Sequence, residues 1–256
     1  MTNLFDLSGK VAIVTGAGAG LGVTFADALA EAGAHVLCAD LNGDRARQTA
    51  ADLSAKGFSA IGTTVDVTVE SQVQEMVKLA TETWGSIDIL INNAGIASVG
   101  PAEDETLETW QRVIDVNLTG TFLCAREVAK VMIAAGSGGS IVNLASILGL
   151  NGSEPMQAVS YAASKGAVVN LTRDLAIHWA PQGIRVNALG PAYFPSEMTG
   201  GLLADTSVLA EVERRTPMGR VGRPEELRGP VLFLASNASS YVTGQTLFVD
   251  GGWTAW

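Results

Sequence analysis

Seven short apolar runs, separated by longer stretches of helical period, constrain this chain more than any other feature. Residues 11–15, 35–39, 60–65, 87–91, 140–144, 185–189 and 246–249 read as strands. Residues 21–32, 44–56, 69–83, 107–135, 161–180 and 225–234 read as helices. Strands that are apolar nearly throughout must be covered on both faces, which points to a parallel sheet. Right-handed crossovers then put helices on both sides. The predicted fold is α/β: a doubly wound parallel sheet of Rossmann type. With 47% hydrophobic and 16% charged residues, the chain can build a large core. No linker, repeat or low-complexity tract divides 1–256, so a single domain is expected; the glycine cluster at 136–139 reads as a helix stop.

Two less regular stretches follow strands at their carboxyl ends, where open α/β sheets bind ligands. Residues 147–160 are the expected substrate loop and 191–222 the expected lid.

The net charge of −10 argues against a nucleic-acid partner, which demands clustered Lys and Arg. No apolar run reaches the roughly 18 residues of a membrane span, and 1–10 lacks the pattern of a signal peptide. Cys38 and Cys124 suggest reduced thiols in a cytoplasmic protein rather than a disulfide framework. His35 and His178 look structural, and no metal-ligand spacing is present.

The first strand runs into Thr15-Gly16-Ala17-Gly18-Ala19-Gly20-Leu21-Gly22. Such a turn lets backbone approach a pyrophosphate, with the next helix aiming its N–H groups at the charge. A glycine pattern alone is weak evidence and also fits an ordinary turn; the flanking strand and helix favour the dinucleotide reading. Asp40 closes the second strand, where a carboxylate can accept hydrogen bonds from an adenosine ribose and repel a 2′-phosphate. Neither Ala17 nor Leu41 offers a compensating cation, and Arg45 and Arg47 are expected to face solvent, so NAD (NADH) is favoured over NADP. The competing reading of Asp40 is a turn residue before Asn42-Gly43.

Tyr161 and Lys165 stand four apart on one helix and therefore share a face. An ammonium beside a phenol, helped by the positive nicotinamide ring of a bound cofactor, favours the phenolate, lowering a pKa that is ordinarily near 10 and making Tyr161 a candidate acid/base. Ser146 closes a strand and can turn its hydroxyl toward the same cleft to polarise a substrate oxygen. Asn117 interrupts an apolar helix. Each has a plainer reading as a chance pair, a turn former or a solvated helix residue.

Taken together, these motifs resemble the short-chain dehydrogenase/reductase family in its compact single-domain branch. The resemblance spans essentially the whole chain and rests on the glycine turn, Asp66-Val67, Asn92-Asn93-Ala94-Gly95, Asn117, Ser146, Tyr161-Ala162-Ala163-Ser164-Lys165, Arg185-Val186-Asn187-Ala188 and Val249-Asp250-Gly251-Gly252. It implies Tyr161 as acid/base, Lys165 lowering its pKa and bonding the nicotinamide ribose, Ser146 orienting the substrate, and Asn117 holding a water that links Lys165 to solvent. It also implies a dinucleotide contacted by Gly16, Gly18, Gly20, Leu21, Gly22, Asp40, Leu41, Asp66, Val67, Asn93, Ala94, Gly95, Pro191 and Ala192. The family usually carries Pro-Gly after the sixth strand; Gly190-Pro191-Ala192 departs from it, and an Ala192 at positive φ would be strained.

The expected pocket walls are Ile147, Leu148, Met156, Val159, Tyr193, Phe194 and Met198, with Glu154 nearby. No base is placed to grip a carboxylate or phosphate, so a neutral secondary alcohol or ketone, possibly a sugar or polyol, is expected. The resemblance implies a homotetramer packed through 107–135 and 161–180, with Trp253 and Trp256 as interface anchors. The alternatives are an NADPH-dependent ketoreductase acting on carrier-bound 3-ketoacyl groups, an epimerase or dehydratase of the larger branch, and an inactive dinucleotide-binding scaffold.

Overall fold

All seven expected strands form: β1 (Val11–Thr15), β2 (His35–Asp40), β3 (Ala60–Thr64), β4 (Ile89–Asn92), β5 (Gly139–Leu144), β6 (Ile184–Pro191) and β7 (Thr246–Val249). The computed structural model describes residues 3–153 and 156–256. The strands make one parallel sheet in the order β3-β2-β1-β4-β5-β6-β7. The order reverses between β1 and β4, where Val14 pairs with Ile91, and a crevice opens at the carboxyl ends of those two strands.

The period of two in β1 divides the core. Ala12 and Val14 point into one apolar cluster with Phe25, Leu29 and Val231. Ile13 points into the opposite cluster with Leu37, Met76, Leu123 and Leu175. Helices α1 (Gly20–Glu31) and α9 (Arg228–Ala235) thus cover one face, and α3 (Glu70–Trp84), α5 (Thr121–Ala135) and α6 (Val159–Trp179) the other. Helix α2 (Gly43–Ala55) joins β2 to β3.

Two helical expectations need correction. The stretch 107–135 is not one uniform helix: α4 (Leu107–Ile114) and α5 are joined by a π-helical segment, Asp115–Gly120. The Thr121 hydroxyl donates to the Asn117 carbonyl at 2.7 Å there, stabilising a ladder that holds one extra residue per turn. The stretch 191–222 contains two short helices, α7 (Glu197–Ala204) and α8 (Thr206–Arg215). Gly200 and Gly201 hide the first from a reading of propensity. Caps hold both: the Ser196 hydroxyl accepts from Thr199 N–H, and Asp205 accepts from Ser207 and Val208 N–H. Among the described residues no helix is long and apolar enough to cross a membrane.

Candidate active site

The turn between β1 and α1 is braced from behind. Asn93 Nδ2 donates to the carbonyls of Thr15 and Gly16, both at 3.0 Å. A Cβ on Gly22 would stand 2.0 Å from the Gly16 carbonyl oxygen, so only glycine lets α1 pack this close to the turn. Helix α1 has Ala19 at its N-cap, without a side-chain cap, and no acidic residue in its first turn. By contrast α2, α4, α7 and α8 are capped by Asn42, Thr106, Ser196 and Asp205. The N–H groups of the first α1 turn are therefore left for an external acceptor, as an anion cradle requires.

Asp40 faces this turn. Its Oδ2 accepts from Gly18 N–H at 2.9 Å and its Oδ1 from Asn42 N–H at 2.8 Å. Arg45 is not merely solvent-facing, as the sequence suggested. It lines the cleft mouth and its Nη1 reaches both carboxylate oxygens of Glu197, at 2.9 and 2.8 Å, on α7. Leu41, Asp66 and Val67 line an adjoining cavity of about 730 Å³ that shares Gly16, Asp40, Ala94 and Gly95 with the main cleft. There Asp66 is engaged with the N–H and hydroxyl of Thr68.

The main cleft, about 350 Å³, brings Gly16, Gly20, Leu21, Asp40, Asn93, Ala94 and Gly95 together with Ser146, Tyr161, Lys165, Pro191, Ala192, Phe194 and Met198. Lys165 is 4% exposed; its Nζ donates to the Leu144 carbonyl at 2.6 Å and lies 5.5 Å from the centre of the Tyr161 ring. Burial pulls the Lys165 pKa down to about 8. In the chain alone the pKa of the phenol shows no lowering by its neighbour. Burial raises it, and the opposing influence is a hydrogen bond with the Ser146 hydroxyl.

Asn117 lies behind the cleft rather than in it, fully buried. Its Oδ1 accepts from Ile96 N–H at 2.8 Å; its Nδ2 donates to the Ile96 carbonyl at 2.9 Å and to Ser164 Oγ at 3.0 Å. Ser164 in turn donates to the Tyr161 carbonyl at 2.7 Å, which ties the π segment to the turn carrying the phenol. The sequence reading gave Ser164 no role, although its position three residues after Tyr161 was the available signal. Gly18 and Gly22 also support the turn without lining the cleft.

The substrate-pocket residues divide. Phe194 and Met198 reach the cleft. Leu148 and Met156 do not; with Tyr193 they pack in an apolar cluster with Ile147, Ala158, Val212 and Trp253, because this patch buries more surface against itself than it could leave at a wet cleft. Tyr193 instead faces a third cavity, of about 340 Å³, shared with Phe194, Met218 and Phe248. Val159 is exposed on the first turn of α6, and Glu154 lies outside the described residues. The strain expected at Ala192 is absent, since Gln157 is the non-glycine residue with positive φ among the described residues. Gly190 is required for another reason: a Cβ there would stand 2.6 Å from the Phe248 ring.

Comparison with known proteins places the chain in a family. The family model described as "Enoyl-(Acyl carrier protein) reductase" matches residues 16–254. The chain is 44% identical to a cis-4-hydroxycyclohexanecarboxylate dehydrogenase of Sinomonas cyclohexanicum, over 96% of this chain and 97% of that one. A short-chain type dehydrogenase/reductase from Mycobacterium marinum superposes with a TM-score of 0.95 at 44% identity, covering 99% of this chain and 98% of the other. A gluconate 5-dehydrogenase from Burkholderia cenocepacia J2315, solved in complex with NADP and tartrate, gives 0.94 at 41% identity, with 99% and 98% covered. On fold, cleft and relatives alike, the chain belongs to the short-chain dehydrogenase/reductase family.

Proposed function

We propose that this protein is an NAD-linked dehydrogenase that interconverts a neutral secondary alcohol and its ketone, with Tyr161 as the proton-transfer group. The observation that carries this reading is the convergence of Ser146, Tyr161 and Lys165 in one cleft with an uncapped helix N-terminus and Asp40. The residues suit a nicotinamide dinucleotide: the α1 turn would take the pyrophosphate, Asp40 the adenosine ribose, Leu41, Asp66 and Val67 the adenine side, and Lys165 the second ribose. Such a cofactor supplies the hydride acceptor or donor.

The chain's own groups supply the rest. Ser146 and Tyr161, hydrogen-bonded to each other, can hold one substrate oxygen between two hydroxyl groups. Tyr161 takes the alcohol proton in oxidation and returns one in reduction. The Lys165 ammonium, 5.5 Å from the centre of the ring, favours negative charge on the phenol as it forms. Residues 191–222 serve as the lid, with Phe194 and Met198 closing the apolar side. The substrate class is a polyol, a sugar derivative or a cyclic alcohol: a galactitol 2-dehydrogenase among the relatives is named for a neutral polyol, whereas the gluconate and hydroxycyclohexanecarboxylate enzymes are named for carboxylates and weigh toward an acidic substrate instead.

Asp40 is the reason to place NAD ahead of NADP, since a carboxylate and a 2′-phosphate repel at short range. The NADP bound to the gluconate relative, together with Arg45 at the cleft mouth, favours NADP as the second reading. The protein would work in the cytoplasm as a homotetramer; exposed Phe122 and Ile133 on α5 and Ile177 on α6 provide apolar surface for such contacts. The decisive experiment offers a panel of secondary alcohols, polyols and ketones with each dinucleotide, following cofactor absorbance. Tyr161→Phe should lower kcat by about 10³-fold on any substrate found, within the usual range for a lost acid/base. A fully active Tyr161→Phe would sink the reading.

A further inference from the structure

Helix α6 starts without a cap of its own. Its N-cap, Ala158, offers no side-chain acceptor, and the reactive Tyr161 follows three residues later. The missing acceptor comes from 55 residues upstream. The Ser160 hydroxyl donates to Glu105 Oε1 at 2.5 Å, and Ser160 N–H donates to Glu105 Oε2 at 3.3 Å. One carboxylate thus satisfies both the side chain and the backbone of the residue immediately before Tyr161. Ser160 is wholly buried, which limits the water that can compete for either bond.

Glu105 is well placed to act as a fixed point. It follows the 3₁₀ turn Ala102–Asp104 and precedes Thr106, whose hydroxyl caps α4. Two further links join the same stretch of chain to the start of α6: Gly100 N–H donates to the Gln157 carbonyl at 2.8 Å, and Asn117 holds both Ile96 and Ser164. Of the three, the Glu105 link touches the residue adjacent to the phenol. A carboxylate at a helix N-terminus also opposes the positive end of the helix dipole, which makes the contact favourable in that orientation.

We propose that Glu105 is a positioning residue for the reaction, a carboxylate clamp on Ser160 that fixes where the Tyr161 phenol sits relative to Ser146. This inference rests on the reading of Tyr161 as the proton-transfer group. Displacements near 1 Å of a reacting group can cost about 10²-fold in rate, so a clamp one residue away has leverage on kcat without touching substrate.

The test compares Glu105→Gln, Ser160→Ala and the double variant with the wild-type chain. Readouts are kcat, KM for a secondary alcohol that the wild type oxidises, and dinucleotide Kd from tryptophan fluorescence. Glu105→Gln removes the charge and leaves one acceptor oxygen, so the amide can hold the Ser160 hydroxyl only by a reversed, weaker bond in which it donates, and the alanine removes the short hydroxyl bond while leaving the helix intact. Glu105→Gln is expected to lower kcat by roughly tenfold or more with dinucleotide Kd and substrate KM within about twofold, Ser160→Ala by about fivefold, and the double variant no further than Glu105→Gln. Unchanged kcat in either single variant, or losses that multiply in the double variant, would overturn the clamp. Should Glu105→Gln fail to fold, Ser160→Ala decides alone, with unchanged kcat counting against the proposal. If Tyr161→Phe proves fully active, the parent reading falls and the clamp with it. An impaired Tyr161→Phe beside a fully active Glu105→Gln rejects the clamp alone.

Discussion

The ammonium of Lys165 lies 5.5 Å from the centre of the Tyr161 ring while donating at 2.6 Å to the carbonyl of Leu144, the last residue of β5. The sheet end, rather than the phenol oxygen, therefore supplies the cation's partner in the protein itself. A neutral carbonyl only partly replaces the water lost, and the pKa falls to about 8. The buried charge is a cost to folding that the site accepts for its chemistry.

That cost is measurable through pH. Between pH 8 and the ordinary lysine value near 10.5, the unfolded chain binds a proton that the folded chain has lost, so this group's contribution to stability rises with pH. Its penalty is present in full below pH 8 and amounts to about 3 kcal/mol, on the scale of 1.4 kcal/mol per unit. Lys165→Met, which carries no charge, should gain most over the wild type at pH 7. The difference in unfolding free energy between the two chains should shrink by about 2–3 kcal/mol as the pH approaches 10.5. Denaturant titrations at the two pH values check this, and a pH-independent difference would contradict it. Turnover should fall by at least about 10²-fold in the same variant.

The proposed preference for NAD rests on Asp40. Both its oxygens are already engaged by the N–H groups of Gly18 and Asn42, so its charge is held against the turn instead of swinging away. Replacing it with Ser removes the repulsion of a 2′-phosphate and weakens the grip on a ribose. Asp40→Ser should shift the ratio of kcat/KM for NAD over NADP toward NADP by about 10²-fold. Glu197→Gln, which breaks an exposed pair with Arg45, should change the ratio only about twofold. Steady-state kinetics with each dinucleotide would show whether Asp40 controls the choice.

The carboxyl-terminal tryptophans part company. Trp253 is 4% exposed, packed edge-on against Tyr193 at 5.2 Å with the Arg215 guanidinium 4.8 Å from its ring centre, whereas Trp256 is 83% exposed. Trp253 is thus part of this chain's own core, which corrects the expectation that both serve as interface anchors. Trp253→Ala should destabilise the protein by about 3–5 kcal/mol and raise substrate KM by loosening 191–222. Trp256→Ala should change stability by less than about 0.5 kcal/mol, with any effect confined to assembly mass in light scattering. Urea midpoints that move equally for the two would refute the division.

The residues alone were enough for the sheet and for the crevice in which Asp40, Ser146, Tyr161 and Lys165 meet. Strand periodicity, the glycine turn, Asp40 and the i,i+4 pair Tyr161 and Lys165 are local patterns, and short-range sterics and helix geometry make them readable without a fold. Tertiary structure alone decided the π turn around Asn117, the placement of Leu148, Met156 and Tyr193 behind the cleft wall, the pairing of Arg45 with Glu197, and the bond from Glu105 to Ser160. Those contacts join residues far apart in the chain, 152 positions for Arg45 and Glu197, or depend on which of two apolar surfaces wins burial. Neither propensity nor spacing encodes such competition. The direction of the Tyr161 shift belongs with them, because desolvation is a property of the packed site and not of a motif.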